Sequence, residues 1–169
     1  MPRGLVSRDT DESLLKRARV TLTSAQLLDL ATTPAVVLTA PGPDKVIQIT
    51  DALLYNPATG TAYLQDSADN MELRYTSGPV TIAIAETDSG AALSATGTPF
   101  VQRFVFAATT TTVYQAVINS SVQVYMNNAA LTTGTGTMDI ILTYRVIDLA
   151  NSNGAQATVA YGTSVEAGK

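Results

Sequence analysis

Four carboxylates in the strand-rich part of this sequence are the side chains best suited to acid–base chemistry. They are Glu72, Glu86, Asp88 and Asp139, and two of them could in principle converge as the acid and the base of a glycosidase. Each has a simpler role, because Glu72 alternates with Arg74 on the exposed side of a predicted strand and Asp88 lies in a loop rich in Gly and Ser. We therefore expect structural carboxylates and no enzymatic activity.

The residue types that are missing exclude most other reaction centres. The chain contains neither His nor Cys, so it cannot build a Ser-His-Asp or Cys-His arrangement or a metal site of imidazoles or thiolates. The oxygen-rich segments DTDE (9–12) and DSADN (66–70) lack the fixed Gly and terminal Glu of a calcium-binding loop. The stretch TTGTGT (132–137) lacks the third Gly and the helix of a dinucleotide loop, so we expect a flexible hairpin tip there. The sequence predicts no cofactor and no metal.

Composition indicates a protein that assembles. The chain has 169 residues, which is the usual size of one domain with one core. Hydrophobic residues make up 46% and charged residues only 14%, against roughly 25% charged in an average soluble protein. Because a monomer normally covers itself with charged side chains, this composition favours a surface that faces other subunits.

The charge is unevenly distributed along the chain. Residues 1–19 hold five of the ten Lys and Arg, although the formal net charge of the whole chain is −4. A net negative chain argues against nucleic acid as a partner, because phosphate binding needs a dense basic surface. The sequence shows no secretory signal, and its apolar runs are far shorter than the roughly 20 residues of a membrane span. We expect no membrane partner.

One short helix has a chemically specified start. Thr23 and Gln26 have the spacing of a capping box, which predicts a helix from Ser24 to Ala31. The leucines Leu27, Leu28 and Leu30 form its apolar side, and Pro34 ends it because proline disfavours helical dihedrals in the residue before it.

The rest of the chain alternates with a period of two, which is typical of strands. Turn sequences such as PGPD and NPATG separate these stretches. The pattern predicts an all-β fold, an antiparallel β-sandwich resembling a jelly roll, with one short N-terminal helix. We divide the chain into an extended N-terminal arm (1–19), a sandwich domain (20–149) and a C-terminal arm (150–169). The predicted strands are 20–23, 35–40, 45–55, 61–65, 70–76, 79–86, 100–107, 112–118, 121–127 and 138–147.

Three motifs in a fixed order resemble those of a known group of proteins. They are SAQLLDLATTPAVVLTAPGPDKVIQI, then ELRYTSG, then DIILTYRVID. This order resembles small virion proteins encoded beside tailed-phage capsid genes, which begin with an SAQ or AAQ helix leading to ATTP and KVI, carry an LEIRY strand and end with a V-RYRV strand. The resemblance covers residues 20–148, and the charged arm before them does not match the pattern.

The resemblance implies a bacteriophage head decoration protein, also called a cement protein. Such a protein would sit on the outside of the virion capsid as a homotrimer, with the major capsid protein as its partner, after synthesis in the host cytoplasm. Alternatives are a tail, neck or head-fibre component, or a carbohydrate-binding module that uses tyrosines as a platform. The seven tyrosines are Tyr55, Tyr63, Tyr75, Tyr114, Tyr125, Tyr144 and Tyr161.

The N-terminal arm carries the residues that we expect to dock on the capsid. Its apolar content is too low to form a core, so we expect it to be disordered in the free protein and ordered on the capsid. An apolar pair is followed by cations in its last part, which suits an acidic surface. The predicted docking residues are Leu14, Leu15, Lys16, Arg17 and Arg19.

Overall fold

The computed structural model describes residues 14–64, 70–77, 80–88, 90–106, 117–127 and 130–150, and for 77 and 80–88 it describes the backbone alone. These residues form nine strands and two short helices. In chain order the elements are β1 (Lys16–Leu22), α1 (Ser24–Asp29), β2 (Ala35–Leu38), β3 (Lys45–Asn56), β4 (Asn70–Ser77), β5 (Val80–Asp88), α2 (Gly90–Ser94), β6 (Phe100–Arg103), β7 (Val105–Phe106), β8 (Ser121–Met126) and β9 (Met138–Asp148).

The strands form two antiparallel sheets, which confirms the predicted all-β, sandwich-like fold. One sheet has the order β1-β9-β3-β6 and the other has the order β2-β8-β4-β5-β7. Side chains from both sheets enter one hydrophobic core, in which Leu54 and Ile140 from the first sheet and Leu73 and Val124 from the second are fully buried.

Strand β4 shows how alternation places side chains. Met71, Leu73 and Tyr75 are fully buried, whereas Glu72 and Arg74 point to the opposite, outer side of the sheet. The hydroxyl of Tyr75 crosses the core and donates a hydrogen bond to the carbonyl oxygen of Ile47 on β3. This bond ties the five-stranded sheet to the four-stranded sheet.

Strand β9 lies between two neighbours in the four-stranded sheet. It pairs with β1 from Met138 to Tyr144 and with β3 from Asp139 to Asp148. Strand β1 lies at the edge of this sheet.

The capping box of α1 is present as predicted. The Thr23 hydroxyl oxygen accepts a hydrogen bond from the Gln26 N–H at 3.3 Å, and Gln26 Oε1 accepts one from the Thr23 N–H at 2.9 Å. The helix ends at Asp29, two residues earlier than predicted, and the chain continues as tighter turns. The Leu30 N–H donates to the Leu27 carbonyl oxygen at 3.5 Å and the Thr32 N–H to that of Asp29 at 3.0 Å, in each case three residues back instead of four. Two of its predicted apolar residues, Leu27 and Leu30, are fully buried.

Two predicted strand boundaries are wrong. Strand β1 begins at Lys16 rather than at residue 20, because β9 offers hydrogen-bonding partners as far as Tyr144. Residues 16–19, which we assigned to the arm, therefore belong to the sandwich, and 1–13 lie outside the described residues. The predicted strand 100–107 is divided into β6 and β7, which belong to different sheets, because Phe104 between them turns into the core.

Two predictions about the end of the sandwich are also wrong. Of the predicted strand 61–65, residues 61–64 are described, and they form an isolated bridge between Leu64 and Thr133 in place of a strand. The predicted hairpin tip 132–137 packs against this segment, and the backbone of Thr135 lies so close to Gly60 that a Cβ there would be 1.9 Å from the Thr135 carbonyl oxygen. The Tyr63 hydroxyl also donates to the Gly136 carbonyl oxygen at 2.9 Å. Where the sequence predicted a strand and a flexible hairpin tip, the structure thus has two loops whose backbones are in close contact.

Predictions at the C-terminal side lie partly outside the described residues. Of the predicted strand 112–118, only 117 and 118 are described, and they form irregular structure and a turn. The C-terminal arm is described only at Ala150, which follows directly after β9 and Leu149.

Substituting Gly60 by Ala tests the contact between the two loops. We expect Gly60→Ala to lower the free energy of unfolding by about 3 kcal/mol or more, because the new methyl group meets backbone atoms rather than a flexible side chain. Gly42→Ala is the control, since Gly42 has a positive φ of 107° but open space around it, and we expect a cost of about 1–2 kcal/mol from the backbone conformation alone. Denaturant unfolding measures both. Equal losses would show that the two loops do not pack this tightly.

Candidate interaction surface

The predicted docking residues are divided by the start of β1. Leu14 and Leu15 precede the strand and are more than half exposed. Within the strand, Arg17 and Arg19 are exposed on its outer side, whereas Lys16 alternates to the other side and is half-buried. The structure thus places Leu14 and Leu15 at one edge of the sandwich, and Arg17 and Arg19 directly after them on the outer side of β1.

Register extends this cationic edge across the outer side of the four-stranded sheet. Arg19 lies opposite Ile141, Ile141 lies opposite Leu53, and Leu53 lies opposite Arg103 on β6. One row across the sheet therefore has an arginine at each edge and two apolar side chains between them. We name this outer side the arginine face, and its members are Arg17, Arg19, Thr21, Gln48, Asp51, Leu53, Tyr55, Val101, Arg103, Asp139, Ile141, Thr143 and Arg145.

A buried carboxylate fixes Arg19. The Asp139 side chain is only 6% exposed, and it accepts hydrogen bonds from Arg19 Nε at 2.8 Å, from Arg19 Nη2 and from the Thr21 hydroxyl at 2.6 Å. The Arg19 guanidinium also lies 5.7 Å from the centre of the Tyr55 ring. Its hydrogen bond and its attraction to Asp139 raise the pKa of Arg19, so the group stays charged while 62% of the side chain faces solvent.

Two further arginines on the same face are held in the same way. Arg103 Nε donates to Asp51 Oδ1 at 2.7 Å, and Arg145 Nε donates to Gln48 Oε1. In each of the three cases the acceptor lies on a neighbouring strand, and Nε is the anchored atom. The arginine side chains are thereby fixed on the sheet rather than free to move in solvent.

The outer side of the five-stranded sheet has a different character. Arg74 lies flat on Tyr125, with 3.7 Å from its guanidinium carbon to the ring centre. Asn127 donates to Glu72 at 2.8 Å. This sheet pairs its polar side chains with one another and has no row of arginines among its described side chains.

The four carboxylates proposed for acid–base chemistry are divided between the two sheets, with three on β4 and β5 and Asp139 on β9. Glu72 lies on the outer side of one sheet and Asp139 on the outer side of the other. Glu86 lies opposite Glu72 in register, and Asp88 lies opposite Asn70 at the end of the same strand pair. Among the residues that the structure describes, no group of three His, Cys, Asp or Glu is arranged to hold a metal ion, and no helix is long and apolar enough to cross a membrane.

The tyrosines do not form an exposed platform in the described part of the chain. Tyr63 and Tyr75 are buried, and Tyr55, Tyr125 and Tyr144 are half-buried. The other two, at positions 114 and 161, lie outside the described residues.

A shallow groove lies between α1 and β2. Asp29 lines it together with Gln26, Pro34 and Val36. Hydrogen bonds from Thr32 and Thr33 lower the pKa of Asp29. These hydrogen bonds give Asp29 a structural role in the turn that follows α1.

Sequence reasoning missed Arg103 and Arg145 as partners of Arg19. The signal was their alternation, because each occupies an outward position of a strand. Their convergence on one face depends on the pairing of β6 with β3 and of β3 with β9, which a single sequence does not show.

The sequence matches no protein-family model and no curated protein. Among solved structures, the chain is similar to a chain in the capsid of Ralstonia phage GP4, with 20% sequence identity and a TM-score of 0.42. The match covers 79% of this chain and 85% of that chain.

Asp139 and Asp51 allow a matched test of the arginine anchors. We expect Asp139→Asn to lower the free energy of unfolding by about 1–3 kcal/mol, because a buried acceptor of three hydrogen bonds loses its charge. Asp51→Asn removes an ion pair in which Arg103 is 70% and Asp51 is 32% exposed, so its cost should be about 1 kcal/mol or less. Urea unfolding of both variants provides the measurement. A larger loss for Asp51→Asn would contradict this ranking.

Proposed function

We propose that this protein is a structural virion protein, a decoration or cement protein on the outer surface of a tailed-phage head. In this proposal a homotrimer binds the major capsid protein and bridges neighbouring capsid subunits. The observation that carries the proposal is the ordered set of motifs over residues 20–148. These motifs form α1, β2, the first part of β3, β4 and β9, together with the turns that join α1, β2 and β3, so most of the resemblance falls on elements that build the sandwich.

The start of β1 supports a docking role for the N-terminal arm. Leu14 and Leu15 are exposed large apolar residues directly before a strand at the edge of the sheet. Burial against a partner would contribute on the order of 1.5–3 kcal/mol for each leucine. The neighbouring Arg17 and Arg19 add attraction to an acidic surface, which salt would weaken.

Trimerisation would strengthen the attachment to the capsid without adding a new kind of contact. The three arms of one trimer would bind the same repeating lattice. Once one arm is bound, the effective concentration of the other two at the lattice is higher. Weak single contacts then give lasting retention on the capsid. Bridging follows because arms of one trimer reach different capsid subunits.

The alternative functions differ in features that can be measured. A tail, neck or head-fibre component of similar fold would be present in few copies on each particle. A carbohydrate-binding module needs exposed aromatic rings, and none of the five described tyrosines is exposed. The burial of these five rings counts against sugar binding through them.

Copy number in purified particles tests the proposed function. We expect quantitative mass spectrometry to find this protein in a fixed ratio to the major capsid protein. Its copy number in each particle should be comparable with that of the major capsid protein, as for a component that repeats over the whole lattice. Ring-like numbers such as six or twelve for each particle would assign it to the tail or neck. Absence from the particles would exclude a virion role.

A second experiment tests the arm while keeping β1 intact. We expect Leu14→Ser with Leu15→Ser, and separately deletion of residues 2–13, to leave folding and oligomerisation unchanged and to reduce occupancy on undecorated shells by about tenfold. Val36→Ser with Leu64→Ser is the control, because it also removes two exposed apolar side chains, away from the arm. Circular dichroism checks folding, and gel analysis of pelleted shells measures occupancy. Unchanged occupancy of both arm variants would show that the arm does not dock.

A further inference from the structure

We propose that the arginine face is a second docking surface, which binds an acidic protein surface of the capsid shell. This inference rests on the proposed function and names the side of the sandwich that contacts the shell. It involves residues far from the arm in sequence, chiefly Arg103 and Arg145.

The composition of the arginine face is that of a protein interface. Four of the five arginines among the described residues lie on it, the fifth being Arg74 on the other sheet. The face also has Tyr55, and its named members include no Lys and no Glu. Interfaces are enriched in Arg and Tyr and depleted of Lys, Glu and Asp. The two aspartates of this face, Asp51 and Asp139, each form an ion pair with one of its arginines.

Charge identifies the chemistry of the partner. Four arginines and two aspartates leave two net positive charges on the arginine face, in a chain whose net charge is −4. The face is therefore positive on a protein that is negative as a whole. Complementarity calls for an acidic partner surface.

The arginines are fixed before any partner arrives. Arg19, Arg103 and Arg145 are each anchored through Nε to a side chain on the next strand. A flexible arginine would lose rotamer freedom on binding, whereas an anchored one has already lost it on folding. This arrangement lowers the entropic cost of docking and leaves much of Arg19 and Arg103 exposed to a partner.

The apolar side chains lie where an interface needs them. Ile141 and Leu53 occupy the two central strands between Arg19 and Arg103. Three strand spacings separate the two arginines, which is about 14 Å. Val101 extends this apolar centre as an exposed residue on β6. An apolar centre with charged ends matches the usual arrangement of a protein–protein contact.

A protein partner fits the face better than nucleic acid. Pairing of Arg19 with Asp139 and of Arg103 with Asp51 leaves only two net positive charges on the face, which is not the dense basic surface that nucleic acid needs. Phosphate binding also gains nothing from the apolar centre, whereas a protein surface can cover it. The face therefore favours carboxylates placed around an apolar patch.

The inference is tested by removing arginine charges from one sheet in one variant and from the other sheet in a second variant. The full-length chain with Arg103→Gln and Arg145→Gln is compared with the Arg74→Gln variant, which removes an arginine from the outer side of the other sheet. Both are titrated onto purified undecorated shells of the same phage at low and high salt, and thermal unfolding checks that they remain folded. We expect the double variant to bind at least about tenfold more weakly than the wild type and with less salt dependence, and Arg74→Gln to bind within about twofold.

Each outcome separates the inference from the function on which it rests. Equal binding of the wild type and the double variant would overturn the arginine face as a docking surface and leave the decoration role intact. Failure of the wild type to bind shells would overturn the proposed function and this inference together. If the double variant loses self-association or binding to duplex DNA while its binding to shells is unchanged, the face serves that other partner and the inference is overturned.

Discussion

The pairing of β3 with β9 is the constraint on which the rest of the structure depends. These strands form the centre of the four-stranded sheet, and their register decides which side chains enter the core. A shift by one residue would exchange the two sides of the sheet and bring charged residues inside. The irregularity at Thr50 absorbs one residue within this pairing, so Ile49 and Ala52 can both be buried. The hydrogen bond from Tyr75 to Ile47 then fixes the second sheet on this centre.

The same register also determines how the side chains on the outer surface of the four-stranded sheet are arranged. Asp139 is buried on the outer side of the sheet because Arg19, Thr21 and Tyr55 surround it. The carboxylate is stabilised by its hydrogen bonds, and in return it holds the arginine in place. An interaction that stabilises the fold thus also organises the exposed surface. Anchoring of this kind is available only where adjacent strands present an arginine and an acceptor side by side.

Local sequence signals predicted those elements whose causes are local. The capping box at Thr23 and the alternation from Met71 to Tyr75 each arise from neighbouring residues, and the structure has both. The division of 100–107 arises from the burial of Phe104 between two sheets, and the early start of β1 from the length of β9. Contact between Gly60 and Thr135 is likewise a meeting of distant segments. A single sequence does not show these long-range contacts, and for the same reason it did not show that Arg103 and Arg145 share a face with Arg19.

The two proposed contact regions are continuous, and this continuity has a physical consequence. Leu14 and Leu15 lead directly into β1, whose outward residues Arg17 and Arg19 form one border of the arginine face. A partner that covers the face is therefore within reach of the arm without a long linker, which keeps the effective concentration of the second contact high. Because β1 is held by β9 along its whole length, the position at which the arm leaves the sandwich is fixed. Docking of the face would therefore direct the arm to one place on the lattice, and two modest contacts could act as one specific contact.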